Sequence, residues 1–301
     1  MIKKILAEVG HKEIKSDNEF LKRLNNLLKG EKLDLIINDF WKYRENIKNT
    51  IQENYPNLIK QLTFLFLIIH DLNEWIRKSY EARKDKEKIK YRINVCGKLF
   101  NKSLQTFIDI FGLLENGSVM NTYVLWRTIY ENFVVSKYLI EGTENEANLF
   151  NEYEVVQSYK LLNEKITPEQ KEIFINKYSK DFNNDYSWAV GIKGRKSFIK
   201  IIRKVKEKKY YKFYLYASYI GHSSSFSVNR GIIYQDKTAN TNMVGYNTED
   251  LTISLNTFIT LMCDYAYFMI DNFIDNKNDK TVLKTVITHY GRKIDRNWKP
   301  K

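Results

Sequence analysis

The sequence predicts an all-α fold, a multi-helix bundle with long antiparallel core helices. Hydrophobic residues make up 43% of the 301 residues, which is enough to bury a sizeable core. Only 12 glycines and 3 prolines occur, too few turn residues for an all-β fold of this length. Several long segments also place apolar residues at helical spacing, the primary signal for amphipathic or buried helices.

The N-terminal helical region is predicted over residues 1–83. Ser16 or Asp17 is a candidate cap for its first helix, which Gly30 would end, and Pro56 separates its second and third helices. The second helix is predicted at 33–51 and the third at 57–80. The mixed charge run at 81–90 marks the boundary to the next region.

A helical core domain is predicted over residues 84–290, followed by a basic tail over 291–301. Ser118 is the expected N-cap of a central helix, and Pro168 suits the first turn of a later one. Trp188 indicates that the glycine-containing segment around it is an ordered loop near the core. The predicted helices are 93–114, 118–140, 144–164, 169–178, 196–212, a helix in the stretch 210–230, 247–275 and 280–290.

The net charge of +13 favours a polyanionic partner such as nucleic acid, although the same charge can simply be spread over solvated faces. Cys96 and Cys263 lie far apart in apolar helical surroundings, which predicts buried free thiols in a reducing compartment. The N-terminus lacks the apolar stretch of a signal peptide, and the longest apolar run is well short of the ~20 residues that span a bilayer. We therefore expect a cytoplasmic protein without a membrane partner.

Arg127 and Glu131 form the first candidate site. They lie four residues apart on one face of the central helix, in the middle of an apolar stripe. A charged pair in such surroundings costs desolvation free energy unless it is hydrogen-bonded. Two interpretations stay open: a binding or catalytic pair, or a buried ion pair that fixes the packing of the helices.

The stretch 210–230 supplies the second candidate site. His222 lies near the expected end of its helix, beside Ser218 and Ser223, and Tyr214 precedes it at helical spacing. Imidazole titrates near neutral pH, which suits general acid or base catalysis. The alternative is a helix-terminal histidine whose ring bonds to a backbone carbonyl.

The predicted helix 196–212 is strongly basic and is followed by tyrosines. Its Lys200, Arg203 and Lys204 are candidates for contacting a nucleic-acid backbone, with the tyrosines available for stacking on bases. The alternative is an amphipathic helix with a solvated outer face. Phosphate-binding-loop, hydrolase and zinc motifs do not occur, so no cofactor and no metal are predicted.

The pattern R-x-x-x-E at 127–131, then Trp188, then Y-x-x-x-S-x-x-x-H-S at 214–223 resembles a bacterial all-helical family of unknown function. The resemblance covers about residues 104–271 and extends distantly to HEPN-type helical domains. It implies a metal-independent endoribonuclease of a toxin or anti-phage system, with a homodimer or a protein from the same operon as further partners. No Arg lies at the usual R-x4–6-H distance before a histidine, so the implied site combines Arg127 and Glu131 with His222.

Sequence analysis thus predicts a protein that acts on RNA rather than DNA. Arg127 would hold the scissile phosphate, Glu131 would orient Arg127, and His222 would serve as the acid or the base. Two other interpretations stay open: a non-enzymatic sensor or interaction protein with a structural polar core, and a regulator that binds nucleic acid through the basic segment 196–212.

Overall fold

The computed structural model describes residues 18, 19, 22, 31–222, 233–234, 242–243 and 251–296. The chain divides into two compact units, residues 1–54 and 55–301. The predicted all-α class is confirmed. The domain boundary predicted at residues 83 and 84 falls inside the second unit and stays a prediction.

The described part of the first unit is dominated by helix α1, Glu31–Asn54. This helix matches the one predicted at 33–51. Within it, the Arg44 guanidinium carbon lies 5.3 Å from the centre of the Trp41 ring, a cation–π contact. Most of the helix predicted between Ser16 and Gly30 lies outside the described residues.

The other helices with described bounds lie in the second unit. Pro56 at the start of α2 and Pro168 at the start of α7 occupy the first-turn positions that proline favours. The helices are α2 Pro56–Ala82, a short 3-10 helix Lys86–Ile89, α3 Lys90–Glu115, α4 Val119–Glu141, α5 Glu144–Glu152, α6 Glu154–Leu162, α7 Pro168–Tyr178, α8 Phe198–Lys204, α9 Tyr211–Gly221, α10 Leu251–Phe273 and α11 Lys277–Arg296. Two short strands, β1 Ile233–Tyr234 and β2 Asn242–Met243, pair antiparallel with Ile233 opposite Met243.

Helix α4 is the centre of the second unit, as its apolar sequence predicts. It packs against α3, α8, α9 and α10. Two of its buried hydroxyls find partners in the core: the Ser136 hydroxyl lies 2.6 Å from the Tyr265 hydroxyl, and the Thr122 hydroxyl lies 2.6 Å from that of Ser254. These bonds satisfy polar atoms that would otherwise be costly to bury.

The predicted basic helix 196–212 is wrong in extent. Helix α8 ends at Lys204, Lys206 has a left-handed φ of 55°, and α9 begins only at Tyr211. The break is fixed from α4, because Lys137 binds the buried Glu207 carboxylate at 2.8 Å and Tyr130 donates to its carbonyl at 3.0 Å. Satisfying these buried groups outweighs the helical propensity of the lysine-rich segment.

The helix predicted at 144–164 is also wrong, because α5 and α6 are separate helices. Tyr153 lies between them, and its hydroxyl reaches the backbone carbonyls of Phe182 and Asn184, each at 2.5 Å. The buried Tyr153 side chain is thereby fixed on the loop after α7, and the helix is interrupted locally at this residue where sequence periodicity alone predicts continuity.

A buried carboxylate, Glu146, fixes this loop on α4. It accepts hydrogen bonds from the Tyr138 hydroxyl at 2.5 Å, the Gly191 amide at 2.9 Å and the Thr143 amide at 3.2 Å. Trp188 packs nearby, with its ring centre 5.6 Å from that of Tyr138. The prediction of an ordered loop around Trp188 is confirmed.

Both cysteines are buried free thiols, as predicted. Burial raises the pKa of Cys96 and of Cys263 to about 12. Among the described residues, no helix combines the length and apolar character needed to cross a membrane. The cytoplasmic location stays a prediction.

Candidate functional site

Arg127 and Glu131 are positioned by α4, one helical turn apart. The Arg127 Nε–H group donates to Glu131 Oε1 at 2.8 Å. Their side chains are 32% and 31% exposed, so the pair is accessible to solvent. The pair is therefore half-buried, and both interpretations, a binding or catalytic pair and a structural ion pair, stay predictions. The apolar stripe continues into the core at Val134 but is open at Val124, which is 39% exposed.

Helix α9 places an aromatic ring against the arginine. The Arg127 guanidinium carbon lies 5.2 Å from the centre of the Tyr214 ring. Tyr214 is itself fixed by neighbouring rings, Phe198 at 5.1 Å and Tyr130 at 5.6 Å. The guanidinium is thus held by a hydrogen bond on one side and by a cation–π contact on the other.

The electrostatics of the pair keep Arg127 charged and Tyr214 neutral. Partial burial lowers the pKa of Arg127, but the hydrogen bond and the negative charge of Glu131 outweigh it, so this pKa is raised above its ordinary value. Burial and the Glu131 charge raise the pKa of Tyr214. Arg127 therefore keeps its positive charge, and Glu131 balances that charge within the pair.

His222 directly follows the last residue of α9, and its backbone is extended. It is exposed. Its neighbour Gly221 faces α4 at ordinary packing distance, since a Cβ atom there would lie 3.5 Å from a methyl carbon of Val124. Val124 precedes Arg127 by one turn, so His222 leaves α9 next to the segment of α4 that carries the pair. A shared contact of His222 and Arg127 with one phosphate stays a prediction.

The two predicted serines have different positions. The Ser218 hydroxyl donates to the Tyr214 carbonyl at 2.8 Å, a bond within α9 that orients the side chain along the helix. Ser223 lies outside the described residues. A role of either serine in substrate binding stays a prediction.

The three predicted backbone-binding cations lie on α8. Lys200 donates to the Lys193 carbonyl at 3.2 Å, which directs its side chain toward the preceding loop. Arg203 and Lys204 are exposed in the last turn. Lys200 therefore lines a groove beside the site, whereas the structure does not bring Arg203 or Lys204 into contact with Arg127.

Sequence analysis missed that groove and its tyrosine. The groove has a volume of about 530 Å³ and is lined by Asn183, Asn184, Asp185, Tyr186, Arg195, Lys196, Ser197 and Lys200. The Tyr186 ring centre lies 6.2 Å from that of Phe198, which in turn contacts Tyr214. Burial, and next the charge of Glu131, raise the pKa of Tyr186 to about 12. The sequence did contain a signal for this groove: Tyr186 and Arg195 lie in a loop that was already expected to be ordered.

The arrangement can bind an anion. The bond to Glu131 uses one of the five N–H donors of a guanidinium, and the fork geometry of this group matches phosphate oxygens. Within the described part of the chain, no cluster of His, Cys, Asp or Glu is suited to hold a metal ion.

Residues 93–238 match the model of a family of unknown function (DUF5677). The match spans just under half of the 301 residues and includes every candidate site residue from Arg127 to Ser223. No curated protein and no solved structure matched the chain. The predicted resemblance to a family of unknown function is confirmed, whereas the distant similarity to HEPN-type domains stays a prediction.

Proposed function

We propose that this protein binds RNA at Arg127 and cleaves it as a metal-independent endoribonuclease. The observation that supports the proposal is the Arg127 guanidinium, which is accessible, held between Glu131 and the Tyr214 ring, and permanently charged. Such a cation is positioned before the ligand arrives, so little conformational freedom is lost when a phosphate binds. The proposed biological setting is a bacterial toxin or anti-phage defence system, with RNA from the cell as the substrate.

In the proposed reaction, Arg127 binds the scissile phosphate and stabilises the negative charge that develops on it. The 2′-oxygen of the RNA attacks phosphorus and loses its proton to a base, while the bond from phosphorus to the 5′-oxygen breaks and that oxygen gains a proton. His222 serves as the acid or the base. Glu131 positions Arg127 through its hydrogen bond.

The test is cleavage of a single-stranded RNA in the presence of a chelator. We expect products that end in a 2′,3′-cyclic phosphate, and no cleavage where the 2′-hydroxyl is replaced by hydrogen. His222→Ala should lower the rate by at least about 100-fold, the usual contribution of a general acid or base. Arg127→Ala should abolish cleavage while the protein stays folded. Intact RNA in the presence of wild-type protein, tried on total cellular RNA as well, would contradict the proposal.

A second candidate function is a non-enzymatic sensor that binds an anionic ligand. It is favoured by the internal contacts of Arg127, because a cation held by Glu131 and Tyr214 needs no reaction to explain it. Under this alternative, wild-type protein binds RNA without cutting it, and His222→Ala binds as tightly as wild type. A regulator that binds nucleic acid through the segment 196–212 is a further alternative. Under it, Arg203→Ala and Lys204→Ala lose nucleic-acid binding, whereas Arg127→Ala binds like wild type.

A further inference from the structure

The groove beside Tyr186 has an excess of positive charge. Arg195, Lys196 and Lys200 line it, against a single lining acid, Asp185. The Asp185 carboxylate already binds Lys160 at 2.5 Å, and none of the described residues forms an ion pair with Arg195. Arg195 and Lys200 therefore present cations that no described carboxylate pairs with.

Its wall is fixed before any ligand binds. The Lys196 ammonium donates to the carbonyls of Ser187 at 2.7 Å and Tyr178 at 3.3 Å. The Asn184 side chain donates to the Lys196 carbonyl at 3.2 Å and accepts from the Tyr186 amide at 2.9 Å. Because these bonds hold the loop, Arg195 and Tyr186 project from a rigid frame, which lowers the entropic cost of binding.

Two buried aromatic rings, Phe198 and Tyr214, pack between the groove and the Arg127 site. Phe198 lies between Tyr186, at 6.2 Å, and Tyr214, at 5.1 Å, and the Arg127 guanidinium covers the far side of this row at 5.2 Å from Tyr214. Tyr186 is half-buried and presents an aromatic side chain in a basic groove, a combination that suits a nucleotide, with the base stacked and the phosphate bound by cations.

We infer that this groove is a second phosphate subsite, in which Arg195 and Lys200 bind the backbone of single-stranded RNA and Tyr186 stacks on a base, next to the nucleotide held at Arg127. The inference rests on the proposed function, and it gives that function a substrate class. An RNA chain that spans both subsites has to be unpaired at the groove, since a base inside a duplex is not available for stacking on Tyr186.

The experiment measures binding of 2′-O-methyl oligonucleotides, which resist cleavage, by fluorescence anisotropy over a series of salt concentrations. Wild-type protein should bind an octanucleotide more tightly than a dinucleotide. The double variant Arg195→Ala/Lys200→Ala should lose this gain, and its salt dependence should become less steep by about 1.4, because each phosphate contact of a single strand contributes about 0.7. Dinucleotide binding should stay unchanged.

The matched control is Lys102→Ala/Lys171→Ala, which removes the same charge from two exposed lysines outside the groove. It should bind both oligonucleotides like wild type. Tyr186→Phe should also bind like wild type, whereas Tyr186→Ala should weaken octanucleotide binding, because stacking needs the ring and not the hydroxyl. A groove variant no weaker than the charge control overturns the inference.

The arms separate this inference from the proposed function. If Arg127→Ala abolishes binding and cleavage while the groove double variant matches wild type, the groove inference fails and the proposed function stands. If the groove variant weakens binding but Arg127→Ala neither weakens binding nor slows cleavage, the proposed function fails and the groove remains a nucleic-acid site. If inorganic phosphate or a nucleoside monophosphate competes at the groove as well as the octanucleotide does, the groove takes a free anion and the inference of a chain-binding subsite is overturned.

Discussion

Two charged groups, Arg127 on α4 and Glu146 next to this helix, have opposite surroundings. Glu146, next to the C-terminal end of the helix, is buried and accepts three hydrogen bonds from the protein. Arg127, in the first half of the helix, is about one-third exposed, and its ion pair with Glu131 uses a single N–H group. The carboxylate is satisfied by the fold, whereas the guanidinium keeps both access to solvent and capacity to donate.

The difference separates a structural group from a candidate site. Burying a charge is tolerated only where hydrogen bonds compensate for the lost hydration, and the neighbours of Glu146 supply them. A partly exposed cation costs little to desolvate and gains little stability from its pair. We therefore expect changes at Glu146 to act on folding and changes at Arg127 to act on binding.

The largest effect is expected from Glu146→Ala. Three donors, including the Tyr138 hydroxyl, lose their acceptor, and we expect the free energy of unfolding to fall by about 3 kcal/mol. Urea unfolding followed by circular dichroism measures it. The control Glu141→Ala, at an exposed position on α4, should change stability by less than about 0.5 kcal/mol. Equal stability of the two variants would remove the distinction between the regions.

The next largest loss of stability is expected from Gly191→Ala. A Cβ atom at this position would lie 2.9 Å from Glu146 Oε1 and 3.0 Å from the Tyr138 hydroxyl, so the cluster has to shift. We expect a loss of about 2 kcal/mol, as for other overpacked sites. Gly97→Ala is its counterpart, because no heavy atom lies within 4 Å of a Cβ there and the residue is in the middle of α3. That substitution should raise stability by about 0.5–1 kcal/mol. The same sign for both variants would contradict the close approach at Gly191.

Arg127→Ala should have a smaller effect on stability than either cluster variant. Its pair with Glu131 is about one-third exposed and screened by solvent, so we expect a loss of no more than about 1 kcal/mol. RNA binding should nevertheless be lost. Arg127→Lys tests the geometry, because an ammonium keeps the charge but cannot bind a phosphate through a planar fork. A loss of stability as large as that of Glu146→Ala would assign Arg127 to the structural class.

The smallest effect on stability is expected from the ionisation of the two cysteine thiols. Cys96 and Cys263 are buried, and burial raises the pKa of each to about 12. Neither thiol should react with iodoacetamide at about pH 8 until the protein unfolds, which mass spectrometry can follow. Since the unfolded chain loses these protons near about pH 8.5 and the folded chain does not, the stability due to the thiols is complete below that pH and falls as the pH rises above it. Rapid labelling of the native protein would contradict the burial.

Helical periodicity was sufficient to predict the long helices but not the breaks between short ones. α4 and α10 are apolar over many turns, so propensity, pattern and packing agree. The segments 144–164 and 196–212 are also helical in pattern, yet Tyr153 and Glu207 interrupt them through contacts with distant residues. Such contacts leave no periodic signal in the sequence.

The candidate site was predictable in part. The four-residue spacing of Arg127 and Glu131 predicts that they pair, and Tyr214 was already named as a site residue. The partial exposure of the Arg127–Glu131 pair was not predictable from the sequence, because it depends on how α9 packs. This helix covers one side of the pair and leaves the other side open to solvent. The role of Glu146 had a readable signal, since Thr143 and Glu146 have the T-x-x-E spacing of a capping box. Its bond to Gly191 joins positions 45 residues apart and had none.

The bonds from Tyr130 and Lys137 to Glu207 have a consequence during synthesis of the chain. Tyr130 and Lys137 lie 77 and 70 residues before Glu207, and Tyr214 comes after Glu207 in the chain. A ribosome that has released α4 has made Arg127 and Glu131, but the ring that holds the guanidinium has not yet been translated. A nascent polypeptide that ends before residue 214 therefore cannot assemble the proposed site, whatever part of α4 has already folded.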